Sequence, residues 1–268
     1  DVGIAEQHAV TSAAGMAMAG LRPVVAVYST FFTRAFDQAM YDVGLHEQPV
    51  VFAMDRAGVT GPDGASHHGV LDMALCLKIP GMTMFAPSSA QELKVQLRTA
   101  VDLEGPASIR YPRTTARQVG PDEVGSGLSA RKVRDGAKKD VCIIGVGKMV
   151  EYAEEAAAEL EGRGLSVTVW DPRVIKPVDT AMLADAAHHR LVVTVEDGIR
   201  IGGVGMFFAD ALAGLDEGRV APPVVILGTP AEFLPHGDAP TILASLGLDG
   251  PGIVAAVRKA LSGASASS

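Results

Sequence analysis

Short apolar runs rich in β-branched residues alternate along this chain with stretches whose apolar positions recur every three to four residues, the pattern of parallel α/β units. In the first half the pattern predicts a helix over 6–19, a strand over 23–28 (PVVAVY), a helix over 32–44 and a strand over 49–54 (PVVFAM). A Gly-rich loop at 55–69 follows, then a strand near 82–86, a helix over 89–103 and a strand over 107–111 (ASIRY). The strands are nearly all apolar, as expected where helices cover both faces of a sheet. Residues 114–138 are polar, hold Gly120, Pro121, Gly125, Gly127 and Gly136, and lose the period, which reads as a linker. A second α/β unit then has strands at 141–145, 166–170, 191–195 and 223–227 and helices at 148–163, 178–187, 203–214 and 251–262. The fold class expected is therefore two α/β domains with mainly parallel sheets, divided as 1–118, a linker at 119–138, and 139–268.

Composition narrows this picture without redirecting it. The 268 residues suggest two domains at the usual ~100–200 residues each, and 48% hydrophobic residues suffice for two cores. A net charge of -8 leaves no basic field to draw nucleic acid non-specifically. Cys76 and Cys142 stand far apart in apolar runs without metal-ligand spacing, which fits a reducing compartment, and the expectation is cytoplasm. The reading finds no membrane segment and no signal peptide.

Candidate chemistry concentrates in the first unit. Glu6, in GIAEQHA, stands at a predicted helix start, where a carboxylate either complements the helix dipole or serves a site. YSTFF at 28–32 leaves a strand and enters a helix, at the end of a parallel strand where ligands bind in open α/β sheets. The loop DRAGVTGPDGASHHG packs Asp55, Arg56, Asp63, His67 and His68 among glycines directly after a strand, more chemistry than a turn requires. RYPR at 110–113 ends the last strand of that unit, so Arg113 either bridges domains or joins Arg56 in a crevice, where paired guanidiniums suit a phosphate dianion.

Taken together, GIAEQHA, RPVVAVYSTFFTRAFDQ, DRAG with PDG and HHG, and RYPR resemble the 1-deoxy-D-xylulose-5-phosphate synthase family of the transketolase superfamily. The resemblance implies a pyrimidine-binding domain followed by a transketolase C-terminal domain, with thiamine diphosphate and Mg2+ as cofactors. It implies that Glu6 hydrogen-bonds the aminopyrimidine, a task for a carboxyl group that holds a proton and is favoured by an apolar site. It further implies that Phe31 stacks on that ring, that Tyr28 and Arg34 line the pocket, and that Arg56 and Arg113 grip the acceptor's phosphate. Asp63 would bind the acceptor's hydroxyls and His67 would assist proton movements, although His68 beside it leaves the choice between the two histidines open. The substrates implied are pyruvate and D-glyceraldehyde 3-phosphate, and the assembly implied is a homodimer.

The segments GVG (145–147), VEDGIRIGGVG (195–205) and LPHGDAP (234–240) resemble loops of the C-terminal domain, which implies dimer-interface roles outside the reaction centre. His188, His189 and His236 then read as structural or interfacial. GVG is too short for a dinucleotide fingerprint. The magnesium–diphosphate motif of the superfamily, GDG followed by asparagine, does not occur, and the chain contains no asparagine. That site, with no metal ligands expected here, is assigned by the resemblance to an N-terminal domain of the same polypeptide, so the chain is expected to be a fragment inactive alone. Two alternatives remain: the beta subunit of a 2-oxo-acid dehydrogenase decarboxylase component, and a non-catalytic dimerisation or binding module.

Overall fold

The computed structural model describes residues 1–215 and 220–265. Residues 216–219 and 266–268, which the expected 139–268 domain includes, lie outside the described residues. The first unit runs α1 (Glu6–Met18), β1 (Val24–Tyr28), a helical segment through α2 (Phe36–Gln38), β2 (Val51–Asp55), α3 (Asp72–Cys76), β3 (Thr83–Phe85), α4 (Ala90–Asp102) and β4 (Ala107–Arg110). The remainder runs β5 (Arg131–Arg134), β6 (Val141–Gly145), α5 (Met149–Gly162), β7 (Val167–Asp171), β8 (Val174–Lys176), α6 (Thr180–Ala187), β9 (Leu191–Ile199), α7 (Val204–Ala213), β10 (Val224–Thr229), α8 (Ala239–Ser245) and α9 (Gly250–Ser265). Two five-stranded sheets result, ordered β1-β2-β4-β3-β8 and β10-β9-β6-β7-β5, each with four parallel strands and one antiparallel edge strand. The fold class expected from periodicity is borne out.

Four features depart from the expected elements. The stretch read as a linker contains β5, whose Arg131–Arg134 pair antiparallel with β7 and close the edge of the second sheet. β8 belongs to the second unit by position yet pairs with β3 in the first sheet, so a strand crosses between units. Both are too short and too polar at their ends to register as strands by period. The short helices α3 and α8 are likewise absent from the pattern. Finally, the helix expected over 32–44 is a 3-10 segment over Ser29–Ala35, the single turn α2, and a π segment over Ala39–Gly44. The tighter first part turns neighbouring aromatic side chains apart. Phe32 is fully buried and meets Phe52 edge-on at 5.4 Å, while Phe31 faces a cleft.

The two units share a core. Phe32, Phe52, Met54 and Met84 of the first form one cluster with Ile144, Val192 and Phe208 of the second. α8 and α9 together form an apolar stretch as long as a membrane span, and Ile242, Leu243, Ile253, Val254 and Val257 of this stretch are buried in the second core. Between the units, Arg173 and Glu92 are both 0% exposed, with Nε donating to both carboxyl oxygens at 2.9 Å. Arg173 also donates through Nη1 to the carbonyls of Ser126 and Ser129, pinning the connecting segment to the junction. Cys76 and Cys142 are buried free thiols, and burial pushes both thiol pKa values up.

Candidate active site

The site forms where three adjacent parallel strands end. β1, β2 and β4 are neighbours, Tyr28 at the end of β1 is in register with Asp55 at the end of β2, and Arg110 closes β4. Side chains placed just after these ends therefore gather at one edge. Tyr28 and Phe31 stack at 5.7 Å with planes 10° apart, and His67 meets Phe31 edge-on at 5.4 Å. Each of the stacked rings carries a guanidinium: Arg56 Cζ lies 3.8 Å from the Tyr28 centroid and Arg34 Cζ 4.7 Å from that of Phe31.

Glu6 is the first residue of α1, and its side chain is 11% exposed. It lines a cleft of about 240 Å³ whose other walls are mainly apolar: Val10, Val25, Val27, Tyr28, Phe31 and Phe32. The enclosure is less apolar than the expectation for Glu6 assumed, because Arg34 Nη1 lies 3.3 Å and 3.4 Å from its two oxygens. Arg34, which the resemblance assigns to the pocket, stands here as the ion-pair partner of Glu6 and over the Phe31 ring.

The 55–69 loop is held closed by its own backbone. Gly58 and Gly69 exchange N–H···O bonds at 2.8 Å in both directions, and Ser29 Oγ and Thr30 Oγ1 donate to the carbonyls of Gly69 and Ser66. The adjacent histidines, indistinguishable by sequence, separate here. His68 Nδ1 accepts from the backbone N–H of Thr60 at 3.1 Å, so Nε2 carries the proton and donates to the Pro235 carbonyl at 3.0 Å. Both nitrogens of His68 are spent on holding the loop to the second unit. His67 keeps one contact to a mobile-hydrogen group, Ser66 Oγ at 2.9 Å, and presents its ring to the aromatic pair.

The expected pairing of Arg56 with Arg113 is not what the structure brings together. Arg56 pairs with its neighbour Asp55, and Arg113 Nη1 donates to both oxygens of Asp63 at 2.6 Å and 2.7 Å. Two guanidiniums repel unless an anion lies between them, so each takes a carboxylate instead. Asp63, expected to be free for hydroxyl groups, is correspondingly engaged. Among the described residues, no group of three or more His, Cys, Asp or Glu side chains converges as metal ligands would.

Residues that sequence reasoning passed over hold this site from behind. Arg110 Nε donates to Asp72 Oδ2 at 2.8 Å and its Nη1 to Asp197 Oδ1 at 2.7 Å, all three side chains at most 7% exposed. Next to Asp197, Glu196 accepts from the Gly205 N–H at 2.8 Å, and burial pushes its pKa up to about 7. VEDGIRIGGVG and LPHGDAP, expected to stay outside the reaction centre, therefore contact the site loop directly through Asp197, Pro235 and Gly237, whose N–H reaches the Gly61 carbonyl at 3.3 Å. The only sequence signal was the density of charge in VED after an apolar strand.

Comparison with known proteins meets this geometry. The family model for the transketolase pyrimidine binding domain matches residues 1–118, and that for the transketolase C-terminal domain matches residues 129–253. A solved structure described as a split gene transketolase, inactive beta4 tetramer, is similar with a TM-score of 0.86 and 32% identity, over 97% of this chain and 83% of that chain. The chain belongs to the transketolase superfamily. Within it, similar curated proteins include 1-deoxy-D-xylulose-5-phosphate synthases: that of Magnetococcus marinus is 44% identical over 97% of this chain, and synthase 2 of Kitasatospora griseola 47% identical over 94%. The chain spans 42% and 40% of those relatives, respectively.

Proposed function

We propose that this chain supplies the pyrimidine side of a thiamine-diphosphate active site in an enzyme that joins pyruvate to D-glyceraldehyde 3-phosphate, giving 1-deoxy-D-xylulose 5-phosphate and carbon dioxide. One observation carries the proposal: Glu6, the cleft's one carboxylate, stands in an apolar groove beside the flat ring of Phe31. A planar heteroaromatic ring with one polar edge fits such a groove. The magnesium–diphosphate end falls to the part of the relatives that this chain does not span, and a homodimer is the assembly expected.

When bound, thiamine diphosphate supplies a nucleophilic carbon and an electron sink. The chain's own residues do the rest. Glu6 holds or releases a proton at a carboxyl oxygen facing the ring's polar edge, with Arg34 fixing its orientation. Phe31 stacks, and His67 moves protons beside it. As pyruvate's carboxylate leaves as carbon dioxide, its bonding pair ends in the new carbon–carbon bond, and the acceptor's aldehyde oxygen takes up a proton. Arg56 and Arg113 bind the acceptor's phosphate by exchanging their carboxylate partners for it, which frees Asp63 for a hydroxyl group. Their partly exposed pairs suit such exchange, because exposed ion pairs are worth only ~0–1 kcal/mol.

The test is product formation in the assembled enzyme. Equimolar carbon dioxide and 1-deoxy-D-xylulose 5-phosphate are expected from pyruvate and glyceraldehyde 3-phosphate. Turnover only with a lipoamide acceptor would favour the 2-oxo-acid dehydrogenase alternative. A second proposal is supported by the similar protein described as an inactive split-gene product: alone, this chain catalyses nothing and binds thiamine diphosphate more weakly than micromolar. Calorimetric titration of the isolated chain with cofactor and Mg2+ checks it.

A further inference from the structure

We propose that Asp197, on the second unit's β9, is a positioning residue that sets the path of the site loop at Arg56–Gly58 and thereby the place of Arg56. The proposal rests on the functional assignment above only for what Arg56 binds, and its first test does not use catalysis.

The loop leaves β2 along an unusual path. Arg56 has φ 57° and Gly58 φ 75°, so two of three consecutive residues are left-handed, one of them carrying a full side chain. Such a path persists only where the surroundings determine it. Asp55 Oδ1 accepts from the Arg56 N–H at 2.7 Å, and the Tyr111 carbonyl accepts from the Ala57 N–H at 3.0 Å. From the other side comes Asp197. A Cβ on Gly58 would stand 1.8 Å from Asp197 Oδ2, so the loop's backbone rests directly on that carboxylate. Oδ1 of the same carboxylate is fixed by Arg110, which also holds Asp72 at the start of α3, just beyond the loop's far end. The Ile199 N–H, two residues past Asp197, donates to the Val70 carbonyl at 2.8 Å. One carboxylate from the second unit is thus tied to both ends of the loop that carries Arg56, Asp63 and His67.

The arrangement has more than a structural bond requires. Two carboxylates share one guanidinium, with Lys148 the next cation acting on Asp197, and Asp197 Oδ2, Asp72 Oδ1 and Arg110 Nη2 have no hydrogen-bond partner among the described residues. A neutral residue at 197 that accepted from Arg110 would leave a balanced Arg110–Asp72 pair. A second carboxylate beneath Gly58 is explained if it acts on the loop, whose Arg56 lies over Tyr28.

The test uses Asp197→Asn, which keeps an oxygen for Arg110. Hydrogen exchange followed by mass spectrometry on the chain should show residues 56–60 and 69 exchanging at least ten-fold faster in Asp197→Asn, with β6 and β7 unchanged. In the assembled enzyme the same variant should raise KM for glyceraldehyde 3-phosphate about ten-fold while kcat falls less than three-fold, and unphosphorylated glyceraldehyde should lose little. Asp197→Glu should not restore the loop, since a longer side chain cannot fit under Gly58. Unchanged exchange in the loop, or acceleration spread evenly over both sheets, would overturn the proposal. If the loop exchanges faster but the wild-type enzyme does not use the phosphorylated aldehyde, Asp197 keeps its role and the functional assignment fails instead.

Discussion

The RYPR segment holds two arginines of opposite kind, three positions apart. Arg110, the last residue of β4, is 7% exposed and locked between two carboxylates, whereas Arg113, beyond Pro112, is 46% exposed and paired with one. The same division runs through the molecule. Arg173, like Arg110, is buried at the junction of the units, while Arg34, like Arg113, is 45% exposed at the mouth of a cleft. A buried pair cannot lose a partner without stranding a charge, so its partners are permanent. An exposed pair costs little to open, so its partner can be exchanged for a ligand. Exposure, and not the presence of a carboxylate, separates arginines whose partners are permanent from those whose partners can be exchanged.

The largest effect that would sharpen this contrast is expected at the buried end. Arg173→Ala should destabilise the chain by about 3–5 kcal/mol, because Glu92 would remain fully buried without its cation. Chemical denaturation measures this directly. A loss below 1 kcal/mol would erase the distinction.

The buried carboxylates beside these arginines should next make stability fall as pH rises. Burial pushes Asp171 up to about 6 and Glu196 up to about 7, above their ordinary values near 4. Folded-state pKa values above the unfolded ones mean that the folded state binds more protons in between. Their contribution is fully present below pH 4 and is lost as pH rises through 6 and 7. In Glu196→Gln that part of the decline should vanish between pH 4.5 and 7. Denaturation midpoints across that range, with an unaltered slope for the variant, would refute the assignment.

Gly58→Ala should follow at about 1–3 kcal/mol, from overpacking against Asp197 and a left-handed φ. The smallest change in stability is expected for Arg113→Ala, at most about 1 kcal/mol, since its pair with Asp63 is half-exposed. In the assembled enzyme the same variant should lower kcat/KM for glyceraldehyde 3-phosphate by roughly ten- to a hundred-fold, the scale of a lost charge-assisted hydrogen bond, and spare unphosphorylated glyceraldehyde. Equal losses for both aldehydes would return Arg113 to the structural group.

Periodicity carried most of the fold, because both units are built from apolar parallel strands and amphipathic helices whose burial writes itself into the sequence. β5 and β8 escaped because edge pairing leaves a strand partly polar and short, as RKVR shows. Motifs likewise carried Glu6 and Phe31, which line the cleft beside predicted helix starts, and Arg56 and His67, which lie in the Gly-rich loop and meet the Tyr28–Phe31 pair. Long-range partners could not be foreseen. Nothing local indicates that His68 spends both nitrogens on Thr60 and Pro235, or that Asp63 and Arg113, 50 residues apart, form a pair. Nor does RYPR by itself reveal which arginine is buried, which depends on Asp72 and Asp197 folding over it.

The account stands or falls on Glu6 acting on the cofactor's pyrimidine from its apolar cleft. The most direct measurement is the rate of hydrogen–deuterium exchange at the thiazolium carbon of thiamine diphosphate bound to the assembled enzyme, compared between wild type and Glu6→Ala. A carboxyl group that holds a proton against that ring contributes as a general acid–base, so exchange should slow by ~10²–10⁴ while the fold and the cofactor's binding survive. Exchange as fast in Glu6→Ala as in wild type would leave Glu6 a first-turn helix residue paired with Arg34, and the cleft without a catalytic role.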